Sequence, residues 1–378
     1  MAGTTLVKGD VLCHDGRIER IAPQIELPQS ADVQMIDASG CLVMPGLVEA
    51  HCHVGITEEK KGMEGDDCNE NVEPVTPWLR AIDAINTMDA AFDDAVRAGI
   101  TSVMAGPGSS NVVGGQFAFL KTKGRCIDEL VVRAPAAMKI AFGENPKVNF
   151  SGMGKSPVTR MAIAGLLRKE LSRAREYCKK RAKDEVEPDF ELEPWLPVFS
   201  RKIPLKAHVH RVDDIFTAIR IAREFDLRMT LDHCSEGHLV ADRIAASGFP
   251  AIVGPDLSCR SKIEVQNVDF KTAGILHQAG VLVAICTDHP VSVIQSLPIC
   301  AGLAVKAGLP MEAGLEAITC NPAKICGVFD RVGSLEAGKD ADIAIFDGNP
   351  MEVFTRTKYT VINGTVVYRE GQEKTASI

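Results

Sequence analysis

Two histidines stand two residues apart, His51 and His53, in the strand-like segment GLVEAHCHV. Side chains at i and i+2 of a strand leave the same face, so both imidazoles can reach one metal ion. Taken alone, the pair is equally well explained as two polar residues at a strand end. The pattern then recurs. IPLKAH ends in His208, RMTLDH ends in His233, and the apolar run VLVAICTD ends in Asp288. One buried His or Asp can be a satisfied core group, but four separate strands ending in metal-compatible side chains are hard to explain by packing. Imidazoles with a carboxylate form a ligand set for Zn²⁺ or a similar divalent ion. The imidazoles must be neutral to bind it.

Side chains on separate strands meet only if the strands lie side by side. The middle of the chain alternates apolar strand candidates (46–54, 100–106, 136–142, 203–210, 228–234, 250–255, 281–288, and more weakly 117–122) with helix candidates (78–98, 157–183, 212–225, 237–247, 270–279, 293–307, 311–319). Such alternation predicts a parallel sheet. A strand count near eight favours a closed (β/α)8 TIM-type barrel, whose sites form at the C-terminal ends of the strands. Both chain ends read instead as short strands with tight turns, at Asp15-Gly16 and Asn363-Gly364. The predicted organisation is a barrel over 46–332 and one small composite β-sandwich built from 1–45 and 333–378.

Bulk properties narrow the function class. Net charge is −8, and no basic run is long enough for a nucleic-acid footprint. The basic stretch RAREYCKKRAK (173–183) reads as the solvated face of a helix. No apolar run reaches the length of a membrane span, and the N-terminus lacks a signal-peptide pattern. The 12 cysteines are scattered without a C-x-x-C pair, which predicts reduced thiols and a cytoplasmic location. The expected partner is a small-molecule substrate, with neither nucleic acid nor membrane; a homo-oligomer is compatible with this. Two phosphate-site look-alikes fail. Gly154-Lys155-Ser156 has Asn149 where a P-loop needs glycine, and GPGSSNVVGG (106–115) lacks G-x-G-x-x-G spacing, reading instead as a flexible active-site loop.

The chain resembles the amidohydrolase superfamily. The matching motifs are VMPGLVEAHCH (43–53), LKAH (205–208), LDH (231–233), CTDHP (286–290), NPAK (321–324) and GSLEAGKDADIAIFD (333–347), which together span nearly the whole chain. Within it, the chain is similar to members related to metal-dependent dipeptidases and imidazolonepropionase. The resemblance implies a (β/α)8 barrel with a composite β-sandwich and one or two divalent ions, Zn²⁺ with Mn²⁺ or Fe²⁺ as alternatives. It also implies His51, His53, His208, His233 and Asp288 as metal-site residues. The implied reaction is cleavage of a C–N amide bond by a metal-activated hydroxide, with Asp288 as general acid/base. Peptide-like, N-acyl amino acid and cyclic amide substrates all fit. A mononuclear imidazolonepropionase- or deaminase-like hydrolase is the alternative, and a non-catalytic scaffold of the same fold stands outside both. The full set of expected ligands counts against the scaffold.

Binuclear members of the superfamily bridge their ions with a carboxylated lysine at the end of the fourth strand. Lys139, inside the apolar AAMKIAF, is the candidate, because a lysine buried there is costly unless paired or modified. Glu144, past a glycine in the following loop, and Lys121 are the competitors. Deaminase-type members carry a Glu three residues after the fifth-strand His; here the text is His208-Val209-His210-Arg211. His210 shares a face with His208 and is expected to polarise a substrate carbonyl. His14, His238, His277 and His289 read as structural, with His289 a candidate to orient Asp288. The acidic insertion 56–80 follows the H-x-H strand and should cover the site, with Arg80 as a candidate for binding a substrate carboxylate.

Overall fold

The computed structural model describes residues 8–26, 33–59 and 62–372. Residues 1–7, 27–32 and 373–378 of the expected end module, and 60–61 of the insertion, lie outside them. The first elements are a hairpin, β1 (Asp10–His14) and β2 (Arg17–Ala22), and a short strand β3 (Leu42–Pro45). Eight further strands form one sheet in strictly sequential order: β4 (Leu47–Cys52), β5 (Ile100–Ala105), β6 (Val113–Lys121), β7 (Val131–Ala141), β8 (Leu205–Val209), β9 (Met229–His233), β10 (Ala251–Val253) and β11 (Val283–Ile285). Every residue of β4, β5, β8, β9, β10 and β11 is buried, as expected of strands covered on both faces. The sheet curls until β11 approaches β4 without pairing to it. Ala317 and Ile318 fill the seam: their carbonyls accept the amides of Ile285 and Val48, both at 2.9 Å.

The barrel departs from strict (β/α)8 at one strand. β6 runs antiparallel to both β5 and β7. The link from β5 to β6 is too short for the crossover helix that parallel pairing requires, so the chain turns straight back. The expected loop 106–115 is therefore shorter, with Val113, Gly114 and Gly115 already in the strand, and the weak strand expected at 117–122 lengthens backwards.

Helices pack outside the barrel: α1 (Ala90–Arg97), α2 (Glu144–Gly152), α3 (Arg160–Arg181), α4 (Val212–Glu224), α5 (Lys271–Gln278) and α6 (Leu297–Lys306). The expected helix over 78–98 shrinks to α1, and Arg80 precedes a single 3₁₀ turn, Ala81–Asp83. The basic stretch does fall on α3. Thr159 caps that helix by accepting the Ala162 amide at 3.0 Å, and Lys179, Lys180 and Arg181 lie in the last turn, where cations suit the helix dipole.

The C-terminal strands β12 (Ile343–Phe346), β13 (Thr357–Ile362) and β14 (Thr365–Arg369) join β3 in a four-stranded antiparallel sheet of order β14-β13-β12-β3. Val11 and Cys13 of the hairpin pack with Ile343, Ile345 and Val361 of this sheet. Both expected hairpin turns form: Asp15-Gly16 (φ 48° and 76°) and Asn363-Gly364 (φ 48° and 74°) have the positive φ at both centres that a type I′ turn needs. All 12 cysteines are unpaired. Among the described residues no helix is long and apolar enough to cross a membrane.

Candidate metal centre at the barrel mouth

His51 and His53 leave the end of β4, His208 comes from β8, His233 ends β9, and Asp288 follows β11. All four imidazoles are buried, and Asp288 is nearly so. Their donor atoms cluster in two groups that share His233: His51, His233 and Asp288, and His208, His210 and His233, each within 4.8 Å of one another. Asp288 Oδ1 lies 3.1 Å from His53 Nε2 and 3.5 Å from His51 Nε2, and it has no hydrogen-bond partner. A buried, unsatisfied carboxylate oxygen among imidazoles is what a cation would complete, so the donor set fits a divalent ion.

The far nitrogens of these rings are tied down. His51 Nδ1 donates to Asp232 Oδ2 at 2.8 Å, His53 Nδ1 to the Gly106 carbonyl at 2.7 Å, and His233 Nδ1 to the Gly254 carbonyl at 2.8 Å. In the neutral ring each bond places the proton on Nδ1, so that Nε2 carries the lone pair a metal needs. Burial, with the ammonium groups of Lys139 and Lys206 adding to it, holds His51 well below the ordinary imidazole range. Burial does the same to His208 and His233, and takes His210 down to about 3. His53 differs. Burial opposes its charge, yet Cys68 and Asp288 beside it push it up to about 10. For Asp288, burial is outweighed by His233, His53 and Lys139, and its carboxyl lies below the usual value.

Lys139, fully buried on β7, has its Nζ 3.2 Å from His51 Nε2; burial lowers its ammonium to about 8. Its competitors lie elsewhere. The antiparallel course of β6 carries Lys121 to the opposite end of the barrel, where it binds Asp340 at 2.9 Å and Asp342 at 2.6 Å. Glu144 Oε2 turns to the Glu264 amide at 3.4 Å, and neither donor group includes it. Arg80 lines a cavity of about 730 Å³ with Cys68, Gly114, Gln116 and Phe190, its guanidinium held in two hydrogen bonds by Asp83. His289 accepts the Ile294 amide at 3.2 Å and makes no hydrogen bond to Asp288. His238 pairs with Thr272 and His14 with Asp15.

Several residues escaped the sequence reading. Asp232 is the hub behind His51: it also accepts from Thr230 Oγ1 at 2.6 Å and pairs with the buried Lys206 at 3.1 Å. Strand alternation would aim Asp232 and His233 at opposite faces; a positive φ of 71° at His233 lets both serve the site. Glu49 accepts the His51 amide at 3.0 Å and the Thr287 amide at 2.8 Å, tying the H-x-H strand to the turn that carries Asp288. Burial pushes its carboxyl up to about 7. A glutamate inside an apolar strand was the available signal for Glu49; nothing in the spacing pointed to Cys68 or Glu264.

A model of the Amidohydrolase family matches residues 205–369. An amidohydrolase of known structure from Thermotoga maritima MSB8 is 39% identical, with 95% of this chain and 94% of that one covered and a TM-score of 0.91. Amidohydrolase tasK of Hapsidospora irregularis is 28% identical over 95% of this chain, which spans only 40% of that protein's length. An imidazolonepropionase of Paracoccus denitrificans is 25% identical, over 95% of this chain and 93% of its own. Identity of 39% sustained over nearly the whole of both chains and a shared fold leave one conclusion: this chain belongs to the amidohydrolase family.

Proposed function

We propose that the chain hydrolyses a C–N amide bond in a peptide-like, N-acyl amino acid or cyclic amide substrate, using divalent ions. His51, His53 and Asp288 would hold one ion and His208 and His233 the other, with Lys139 between them. The observation that carries this reading is the convergence of these side chains on one buried point, with an unsatisfied Asp288 oxygen facing two imidazoles. When bound, a divalent ion such as Zn²⁺ acts as a Lewis acid, making water more acidic and polarising the scissile carbonyl.

The chain's own residues then do the rest. Asp288 starts ionised, takes the proton of the attacking water and returns it to the leaving nitrogen. Glu49 and the Thr287 amide hold the turn that presents it. Lys139, with its ammonium lowered to about 8, has ready access to the neutral amine that combines with CO₂. The carbamate so formed, after loss of a proton, is an anion suited to join two cations. His210 Nε2 faces the same centre, where it can touch the substrate carbonyl or hold a cation. Arg80, on the neighbouring cavity, would have to give up Asp83 to bind a substrate carboxylate.

Purified protein loaded with Zn²⁺ or Mn²⁺ should turn over members of a panel of dipeptides, N-acyl amino acids and cyclic amides. Asp288→Asn should lower kcat by about 10²–10⁴-fold. Full activity in metal-free wild-type protein would end the proposal. The second reading is a mononuclear imidazolonepropionase-like hydrolase, and the likeness to a relative of that name supports its reaction type. Imidazolonepropionate in the same panel, with one ion per active chain, is its signature.

A further inference from the structure

Lys262 lies in the loop between β10 and β11, at the end of the barrel where the histidines gather, and its side chain is 26% exposed. Its ammonium pairs with Glu264 Oε1 at 2.6 Å and donates to Asn145 Oδ1 at 2.7 Å. Both partners are built into the wall. Glu264 is 1% exposed, and its Oε2 accepts the Glu144 amide at 2.7 Å. Gly143 permits that approach: at its φ of +85°, a Cβ would meet Glu264 Oε2 at 2.6 Å. Asn145 Nδ2 donates to Ser109 Oγ at 2.7 Å and lies 3.5 Å from His208 Nε2. Glu264 Oε1 in turn lies 3.6 Å from His208 Nε2 and 3.8 Å from His210 Nε2. The ammonium is thus one carboxylate oxygen removed from two imidazole nitrogens that face the centre.

We propose that Lys262 binds a carboxylate of the substrate while the scissile carbonyl lies toward His208 and His210. This rests on the metal-dependent reading above and narrows its substrate class. Amides with a free carboxylate close to the scissile bond, dipeptides and N-acyl amino acids, come ahead of uncharged cyclic amides. An ammonium has three N–H donors. Glu264 and Asn145 engage two of them, and the third has the solvent-open part of the side chain to face. A carboxylate is therefore taken without breaking either existing contact. The other cations near the centre are committed or sealed in. Lys139 and Lys206 are buried, with Lys206 on Asp232 and the Ala50 carbonyl, and Arg80 lines the neighbouring cavity with its guanidinium on Asp83. The reach also suits Lys262. In an N-acyl amino acid the carboxyl carbon is two bonds beyond the scissile nitrogen, a single residue's span of about 3.5 Å. Such a span matches an ammonium set one oxygen away from the imidazoles. The hydrogen bond is charge-assisted, and the anchored partners spare the ordering entropy that a free lysine would lose on binding. Glu264 and Asn145 act here as positioning residues, aiming the ammonium without touching the substrate.

The test is kinetic, on Zn²⁺-loaded protein with matched pairs: an N-acetyl amino acid and a dipeptide, each against the same compound with its carboxylate converted to a carboxamide. Wild type should favour the acid by about 10–100-fold in kcat/KM, the range of one hydrogen bond to a charged group. Lys262→Met should remove the preference by lowering kcat/KM for the acid to the level of the carboxamide, and Lys262→Arg should recover part of it. Lys262→Gln, which keeps a donor toward Glu264, serves where Lys262→Met does not fold. Equal use of acid and carboxamide by wild type would overturn the proposal with no variant needed. So would a preference that survives the loss of Lys262 and falls with Arg80→Gln instead. An equal loss for both members of a pair in Lys262→Met would mark a structural lysine and also overturn it. The two readings fail separately. Turnover that ignores the carboxylate sinks only the Lys262 assignment. Absence of turnover for every amide sinks the reaction, and calorimetry then decides the subsite. The N-acetyl amino acid should bind wild type more tightly than its carboxamide and lose that advantage in Lys262→Met; equal binding to wild type would reject the subsite as well.

Discussion

Lys139 is the residue on which the proposed chemistry turns. A fully buried ammonium 3.2 Å from a metal-facing imidazole nitrogen is hard to reconcile with a divalent cation at the same point, whereas a carbamate on that nitrogen is an added ligand. Lys139→Ala should therefore lose about half of the bound metal and nearly all activity, with partial rescue by a short-chain carboxylate such as propionate. Loss of folding without change in ions per chain would point to a purely structural lysine. His53 adds a pH prediction. Its imidazole, pushed up to about 10, is protonated at neutral pH in the metal-free chain, and a metal must displace that proton. Zn²⁺ affinity should thus rise with pH from near neutrality toward about 10. Calorimetry in two buffers of different ionisation heat should show a proton released per ion bound at this position. Heats that do not depend on the buffer would contradict it.

At the scale of elements, the reversed strand β6 decides what Lys121 does. Had β6 run parallel, its C-terminal end would have opened on the metal centre. Running antiparallel, it delivers Lys121 to Asp340 and Asp342, all three only 3% exposed, and so pins the barrel to the segment leading into β12. Removing one partner of a buried ion cluster leaves the others uncompensated. Lys121→Met should cost about 3–5 kcal/mol of stability, read by denaturant unfolding, while ions per chain stay at the wild-type value. A fall in bound metal with unchanged stability would return Lys121 to the site.

At the scale of the molecule, the proposed centre draws on the ends of β4, β7, β8 and β9 and on the turn after β11, so a bound ion would tie together most of the barrel's circumference. Ions that bind only the folded chain stabilise it by mass action, about 4 kcal/mol at a free concentration a thousandfold above Kd. For a chain of 378 residues that corresponds to a Tm rise on the order of 5 °C. Chelation should reverse it and metal should restore it. Scanning calorimetry with equal Tm for apo and loaded protein would show that the ions contribute nothing to the fold.

Repeating chemistry made much of this protein legible in one dimension. His51, His53, His208, His233 and Asp288 each close an apolar run, and an apolar run that ends in a metal-compatible side chain is a local pattern. The tight turns Asp15-Gly16 and Asn363-Gly364 are local too, because a positive φ at both centres selects those residues whatever lies beyond. Other features depended on what lies far away in the chain. The direction of β6 is set by the length of its connection and by pairing on both edges, so Lys121 looked like a site residue until its end of the strand was known. Asp232 was hidden by strand alternation, which the left-handed turn at His233 breaks. Glu264 comes from a loop 54–56 residues beyond the His208–His210 pair it faces, and only barrel closure brings them within 4 Å. Side-chain type and period are properties of a segment, whereas the opposing charge or lone pair that gives a buried group its role is supplied by another part of the fold.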